Sequence, residues 1–355
     1  MPNTIRVDHI DLDRFCRDAL RACGADAATQ AATTNSIMHG SIHGVDSHGV
    51  RLLPHYIAVF ENGRLNKTPN LQFSKVKSGT GVLDADNAQG ARAMYAAMDH
   101  AMDLARDAGI AGVAVQNSSH FGPAGAYAIH ATRAGMIGLA FGNSDAFVRL
   151  HDGAERFHGT NPISMAVPTG GENPWLLDMA TSSVPVNRVQ LYASLGVNLP
   201  DDVASDADGI NTNDPNKAAM MAPVGGAFGF KGAALGGVAE IFSAVLSDMR
   251  LSPEIADMGD LTITKPREMG AFVMAIDPDG FVGRIVARAV MDRYLTQLRG
   301  SKPVAGKTVM APGDREWAEA EQRRLRGVPL DPVTIDGFYD LCDRYDLAFP
   351  KITER

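Results

Sequence analysis

Three histidines fall within a short stretch of the segment Met38–Arg51, MHGSIHGVDSHGVR. His39 and His43 stand four residues apart, a spacing that on a helix turns both rings to one face and serves metal ligation. No carboxylate occupies a matching position, and Gly40 and Gly44 weaken that helix end, so the pair reads first as polar side chains near a turn. His48 differs. It follows Ser47 where a helix is expected to begin, and exposed amides at the positive dipole end favour an anionic ligand there. Arg51, about one turn on, adds a charge-assisted contact suited to a carboxylate. The competing reading is a capping Ser47 beside a solvated His48.

A second cluster, Asn117-Ser118-Ser119-His120-Phe121-Gly122, directly follows the strand-like run AGVAVQ. A histidine at a strand end beside glycine is well placed for a site, although a plain turn residue fits the same pattern. Further on come Gly142-Asn143-Ser144-Asp145, Gly159-Thr160-Asn161-Pro162 and Asp178-Met179-Ala180-Thr181. Each is turn chemistry by itself. Several such turns converging around one sheet are what a cofactor pocket requires. Lys231, in GGAFGFKG before an apolar helix, joins a cation to backbone that can approach a ligand closely; a flexible loop ending in a cap explains it equally well.

Several common signatures are absent. No GxGxxG follows a strand, since Gly79-Thr80-Gly81 lacks the third glycine, and Gly-Phe-Lys-Gly is not a phosphate-binding GK[ST]. Neither GxSxG nor HExxH occurs. A bound nucleotide must therefore be held by a less common framework. The 355 residues favour two compact units or one core with an appended lobe. A net charge of −8 offers no surface for nucleic acid and no polybasic membrane contact. Cys16, Cys23 and Cys342 form no CxxC pair, no apolar run approaches the roughly 20 residues of a bilayer span, and the start of the chain carries no secretion pattern. The expected compartment is the cytoplasm.

The elements that must position these residues follow from periodicity. Leu12, Phe15, Cys16, Ala19, Leu20 and Cys23 recur at helical spacing and Gly24 stops them. Further helices are expected from about Ala27 towards Gly40, and from Asp46-Ser47 to about Asn62. Strands are predicted at Gly112–Val115, Ile137–Phe141, Ile163–Val167, Trp175–Met179 and Ala271–Ile276. Between them lie helices near Ala91–Ala108, Ala124–Ala134 and Ala233–Leu246. Leu199–Met221 reads as a long irregular connection. The tail carries helices near Phe281–Leu298, Arg315–Arg326 and Ile335–Tyr345.

The order of these motifs resembles the malate/L-lactate dehydrogenase family: DSHGVRLLPHY from Asp46, SSHFGPAGAYA from Ser118, RAGMIGLAFGNSDA from Arg133, GTNPISMAVP from Gly159, LDMATS from Leu177, FKG from Phe230 and APGDRE from Ala311. The resemblance implies an α/β, non-Rossmann NAD(P)-binding fold. Its sheet would be mixed but largely antiparallel, with helical N- and C-terminal segments. On that reading residues 1–75 pack with the helices of 300–355, and 76–299 form the cofactor-binding core. It also implies roles by position: His48 as proton donor with Ser47 as its relay neighbour, His120 as proton acceptor, and Thr160 as a substrate contact. Cofactor positions would be His120, Ser144, Asp178, Met179, Ala180, Lys231, Gly313, Asp314 and Arg315. Two positions depart from the family pattern. Leu52 stands where many members carry a substrate arginine, which leaves Arg51 for that role, and Arg188 replaces the aspartate of the imine-reducing branch.

The expected activity is hydride transfer between NAD or NADP and C2 of a small 2-oxo or 2-hydroxy acid, in a homodimer. Arg51 or Arg188 would hold the carboxylate. The alternatives are a reductase of cyclic imino acids such as pyrroline- or piperideine-2-carboxylate, a metal-dependent hydrolase built on His39, His43 and His48, and a non-catalytic nucleotide binder.

Overall fold

The computed structural model describes residues 5–354. In chain order it runs β1 (Ile5–Val7), α1 (His9–Ala22), α2 (Ala27–Ile42), two short 3-10 turns at Asp46–His48 and Val50–Leu52, and α3 (Leu53–Glu61). Then follow β2 (Gln72–Lys77), β3 (Thr80–Asp84), α4 (Gly90–Ala108), β4 (Ile110–Ser118), α5 (Gly125–Arg133), β5 (Ile137–Gly142), β6 (Val148–Arg149), β7 (Arg156–His158), β8 (Ile163–Val167) and β9 (Trp175–Met179). After α6 (Val186–Leu195), β10 (Ala204–Ser205) and β11 (Met220–Met221), α7 (Gly229–Glu240) continues as a π-turn over Ile241–Val245. The chain ends with β12 (Met269–Ile276), α8 (Arg284–Arg299), α9 (Asp314–Arg326), β13 (Val328–Leu330), α10 (Pro332–Tyr345) and β14 (Ile352–Glu354).

The main sheet has seven strands in the order β2-β3-β4-β12-β5-β8-β9, and every neighbouring pair except β3–β4 is antiparallel. The expected strands and the largely antiparallel mixed sheet are therefore present. The β2–β3 hairpin is an addition: most of β2 is exposed and polar, so it lacks the alternation that marks a half-buried strand. One face of the sheet packs on the alanine- and methionine-rich side of α4, with Met94, Ala97, Met98 and Ala101 against Val113, Val115 and Val273. Phe242 of the π-turn covers Phe141 and Phe272 on the other face. A second core joins the ends of the chain, where Leu12, Phe15 and Leu20 of α1 meet Phe338 and Leu341 of α10 and Val328 and Leu330 of β13. The stretch Gly226–Val245 is 20 residues with mean hydropathy 1.2, long and apolar enough by composition to cross a bilayer, which departs from the sequence expectation. It carries Lys231 and a buried Glu240 and packs in part on the sheet.

The register aligns the site. Ser118 at the end of β4 faces Met269 at the start of β12, and Ala271 faces Gly142 at the end of β5. Phe141 pairs with Ile163 at the start of β8, which pairs with Met179 at the end of β9. The turns after β4, β5 and β9 and before β8 and β12 thus emerge at one end of the sheet. These turns carry His120, Ser144 and Thr160, and Asp178 is the penultimate residue of β9 at the same end.

Candidate functional site

The helix expected from Asp46 begins instead at Leu53, after the two 3-10 turns. Gly49, in extended backbone, separates those turns, and Pro54 sits in the first turn of α3, where its missing N–H costs nothing. No helix N-terminus therefore lies at His48. Other contacts fix its position. A Cβ at Gly40 would stand 2.6 Å from the His48 carbonyl oxygen, so only glycine lets this backbone settle on α2. Asp46 does not cap a helix either; it forms a bidentate pair with the buried Arg323 guanidinium, which also donates to the Ser41 carbonyl. On the other side Arg51 pairs with Asp331, the N-cap of α10, at 2.7 Å. The His48 turn is pinned to the C-terminal helices from both flanks, and this contact consumes the proposed carboxylate clamp at Arg51.

His48 and His120 face each other with ring centroids 5.7 Å apart and planes 27° from parallel. Each ring is tied through Nδ1 to a hydroxyl, His48 to Ser47 Oγ at 2.9 Å and His120 to Tyr56 Oη at 2.8 Å. Nε2 of each ring is left to face a ligand. Gln89, the N-cap of α4, donates to the His120 carbonyl and fixes the backbone of that turn. Burial lowers His48 to about 4. Burial, then His48 and then Arg267, hold His120 well below the usual 6.5. Both imidazoles are neutral at neutral pH. A hydroxyl partner can donate to Nδ1, leaving Nε2–H as a hydrogen-bond donor, or accept from it, leaving Nε2 as a base. In the second tautomer the ring can take a proton at Nε2, and the imidazolium so formed can return it.

The second set of residues gathers beside them. Thr160 donates its amide to Ser144 Oγ, and its carbonyl accepts from Thr181, which follows Asp178-Met179-Ala180. Asp178 Oδ2 accepts the Gly125 amide at 2.9 Å, and a Cβ on Gly125 would stand 2.6 Å from that oxygen. Burial, aided by Glu316, raises the Asp178 carboxyl to about 7. Its Oδ1 has no partner among the described residues. The free Oδ1 of Asp178, at the same sheet end as the Ser144 hydroxyl, fits a hydroxyl of a ribose, so these two residues suit a nucleotide cofactor. Glu240 of α7 knits the two turns together. Its carboxylate accepts from Asn143 and Asn161 side chains at 3.1 and 2.7 Å, and from the Ser252 amide and hydroxyl at 2.6 and 2.7 Å.

The remaining sequence candidates lie elsewhere or are otherwise engaged. Lys231 is exposed, with its ammonium 5.2 Å from the Phe228 ring centre. Gly313 adopts φ 96° beside Leu176 and Trp317. Asp314 is paired with Arg299 and accepts the Ala311 amide, and Arg315 is exposed. Arg188 is exposed on α6, with no contact to the histidine pair. His39 and His43 stack on each other at 4.1 Å, and His43 meets Trp317 edge-on. His43 Nδ1 is bonded to its own helix carbonyl at His39. The three histidines of a hydrolase do not converge, and no group of three candidate metal ligands occurs among the described residues.

Sequence reasoning missed Tyr56, Glu240 and Arg267. Arg267 lines the cavity next to His120 with His55, Tyr56 and Arg64. Nothing local marked it, because it sits in an irregular charged stretch, KPRE, ahead of β12.

Comparison with known proteins gives consistent matches. The sequence profile described as malate/L-lactate dehydrogenase matches residues 7–338. A malate dehydrogenase of Pyrococcus abyssi is 29% identical over 96% of this chain and 95% of its own length. A Delta(1)-pyrroline-2-carboxylate/Delta(1)-piperideine-2-carboxylate reductase of Pseudomonas putida is 29% identical over 95% of this chain and 97% of its own. Among solved structures, a malate dehydrogenase from Entamoeba histolytica superposes with a TM-score of 0.92 at 27% identity, covering 98% of this chain and 100% of that one.

Proposed function

Because this chain belongs to the malate/L-lactate dehydrogenase family, we propose that it interconverts a small 2-oxo acid and its 2-hydroxy acid with NAD or NADP. The observation that carries this reading is the facing pair of neutral histidines, each held through Nδ1 by a hydroxyl. The nicotinamide, when bound, supplies or takes up the hydride. The protein moves the accompanying proton. In oxidation, Nε2 of one neutral histidine takes the proton from the substrate hydroxyl and the ring becomes an imidazolium; in reduction, that imidazolium gives the proton back to the oxygen formed at C2. Asp178 and Ser144 would hold the cofactor at this sheet end, with Thr160 left to contact the substrate. Arg188, which replaces the imine branch's aspartate, favours an oxo acid over a cyclic imine.

The test is a panel of pyruvate, oxaloacetate and pyrroline- and piperideine-2-carboxylate, each with NADH and with NADPH, on wild type, His48→Ala and His120→Ala. Turnover of an oxo acid that falls at least a hundredfold in one histidine variant, with cofactor affinity kept, is the expected result. Near-normal turnover in both variants overturns the assignment, and activity confined to the cyclic imines replaces the substrate class. A cytoplasmic homodimer belongs to the same reading. Its support is three free thiols and the exposed apolar row Leu235, Val238, Ile241 and Val245 along α7 and its π-turn. Sedimentation at micromolar concentration checks the dimer.

A further inference from the structure

The cavity beside His120 is lined by two arginines that are almost wholly buried, Arg64 at 2% and Arg267 at 3% exposure. Arg64 is committed to the chain. It donates through Nε to the Ile263 carbonyl at 2.8 Å, through Nη1 to Met258 at 3.1 Å, and through Nη2 to Asp260. No carboxylate side chain takes part.

Arg267 is placed differently. It stands two residues before Met269, which is paired with Ser118, so the register sets it next to the His120 turn. Its Nε donates to the Ala256 carbonyl at 2.8 Å and its Nη2 to the Asp145 carboxylate. Its Nη1 is buried with no partner among the described residues. Asp145, itself buried, also receives the Met258 amide at 3.0 Å and is the one acid paired with this cluster. Asp145 is the one buried carboxylate the two guanidiniums share, Asp257 and Asp260 add their charge beside Arg64, and one Arg267 N–H donor is unpaired among the described residues. A buried charged donor left unpaired carries the whole cost of its lost hydration, so such groups are normally satisfied. The other residues lining the cavity add no negative charge: burial keeps His55 neutral at about 4 and Tyr56 protonated.

We infer that Arg267, and not Arg51, binds the carboxylate of the substrate, through its unpaired Nη1 beside the His120 cavity, which at about 10 Å³ must widen to admit it. One buried cationic donor without an acceptor matches one carboxylate oxygen. The inference rests on the oxo-acid reading but makes a separate claim about binding. Arg51 cannot serve while it is held by Asp331, and Leu52 offers no charge. The clamp has moved from the helical segment after His48 to the loop before β12. There it is oriented by Asp145, which lies in the same GNSD turn as Ser144.

Oxamate, a 2-oxo-acid mimic that accepts no hydride, tests this by calorimetric titration into the protein saturated with NADH and, separately, NADPH. Wild type, Arg267→Lys and Arg51→Lys are compared; lysine keeps a charge beside Asp145 but loses the second arm. The expected result is an oxamate affinity at least tenfold weaker in R267K and within twofold of wild type in R51K. Wild type itself should prefer oxamate over its uncharged analogue oxamide by tenfold or more, a measurement that needs no variant to fold. Equal binding of oxamate and oxamide, unchanged affinity in R267K, the loss appearing in R51K instead, or no oxamate binding by wild type would each overturn the inference. Failure of the oxo-acid reading shows separately, as absence of NAD(P)H oxidation while oxamate still binds through Arg267.

Discussion

Replacing Tyr56 by Phe removes one oxygen atom and leaves the ring. The hydroxyl lies on a residue that is 2% exposed and is bonded to His120 Nδ1 at 2.8 Å. Water cannot easily take its place, so Nδ1 would be left buried and unpaired, at a cost of roughly 1–3 kcal/mol. When Nε2 takes a proton the ring becomes positive and its Nδ1–H donates more strongly to the Tyr56 hydroxyl, so the cost falls on the step that moves the proton. At about 1.4 kcal/mol per factor of ten, Y56F should lower turnover by about 5- to 150-fold. Ser47 bonds His48 in the same way, but Ser47 is only half-buried where Tyr56 is not. Water can replace the Ser47 hydroxyl, and Ser47→Ala should cost less than about fivefold. The assay is kcat in both directions at saturating cofactor, with cofactor affinity measured in parallel to confirm that the fold is intact. Turnover of Y56F within twofold of wild type, or a larger loss in S47A than in Y56F, would refute the reasoning that burial decides which hydroxyl matters.

Two further outcomes follow from buried polar groups. Glu240→Gln offers an acceptor at one end only, which strands two of the four donors now bound to the carboxylate. The loss should be roughly 2–6 kcal/mol in urea unfolding, with weaker cofactor binding because Asn143 and Asn161 flank Ser144 and Thr160; a loss under about 1 kcal/mol contradicts it. Acid should destabilise the fold. His48 and His55 are lowered to about 4 by burial, against 6.5 when unfolded, so the unfolded chain binds more protons between those values. Their contribution is whole above pH 6.5 and is lost as pH falls towards 4, by about 1.4 kcal/mol per pH unit for each histidine. Asp178, raised to about 7, acts in the opposite sense, but it is one group against two. A urea midpoint that stays level or rises from pH 6.5 to 4.5 would refute this.

Local sequence revealed elements wherever one short signal decided the outcome. The strands Ile163–Val167 and Trp175–Met179 are found as expected, since each apolar run follows a proline that blocks earlier pairing. The start of α3 was misread because Asp46-Ser47 has the composition of a cap, whereas the Asp46 carboxylate goes to Arg323, 277 residues away. Arg51 likewise finds a partner that nothing in the local sequence marks, Asp331, 280 residues off. That His48 and His120 come together is suggested by their positions at turn and strand ends. Tyr56 looked like one more apolar position of a helix, and Arg267 like loop charge. Only the strand register brings them to His120.

The place of β12 has a consequence for how the chain folds. β4 and β5 are successive strands in the sequence, yet they do not touch; β12 lies between them. That slot stays vacant until Met269–Ile276 has been synthesised, more than a hundred residues after β5. Until then the inner edges of β4 and β5 present open backbone and apolar side chains such as Val113 and Phe141, a template for wrong pairing. Long-range pairings of this kind are slow to form, because the loop-closure cost is met before the contacts reward it. The nascent protein is therefore most exposed to aggregation between the synthesis of β5 and of β12. The same insertion that closes the sheet also delivers Arg267 to His120, so that the chain becomes a complete sheet and a complete site in one event.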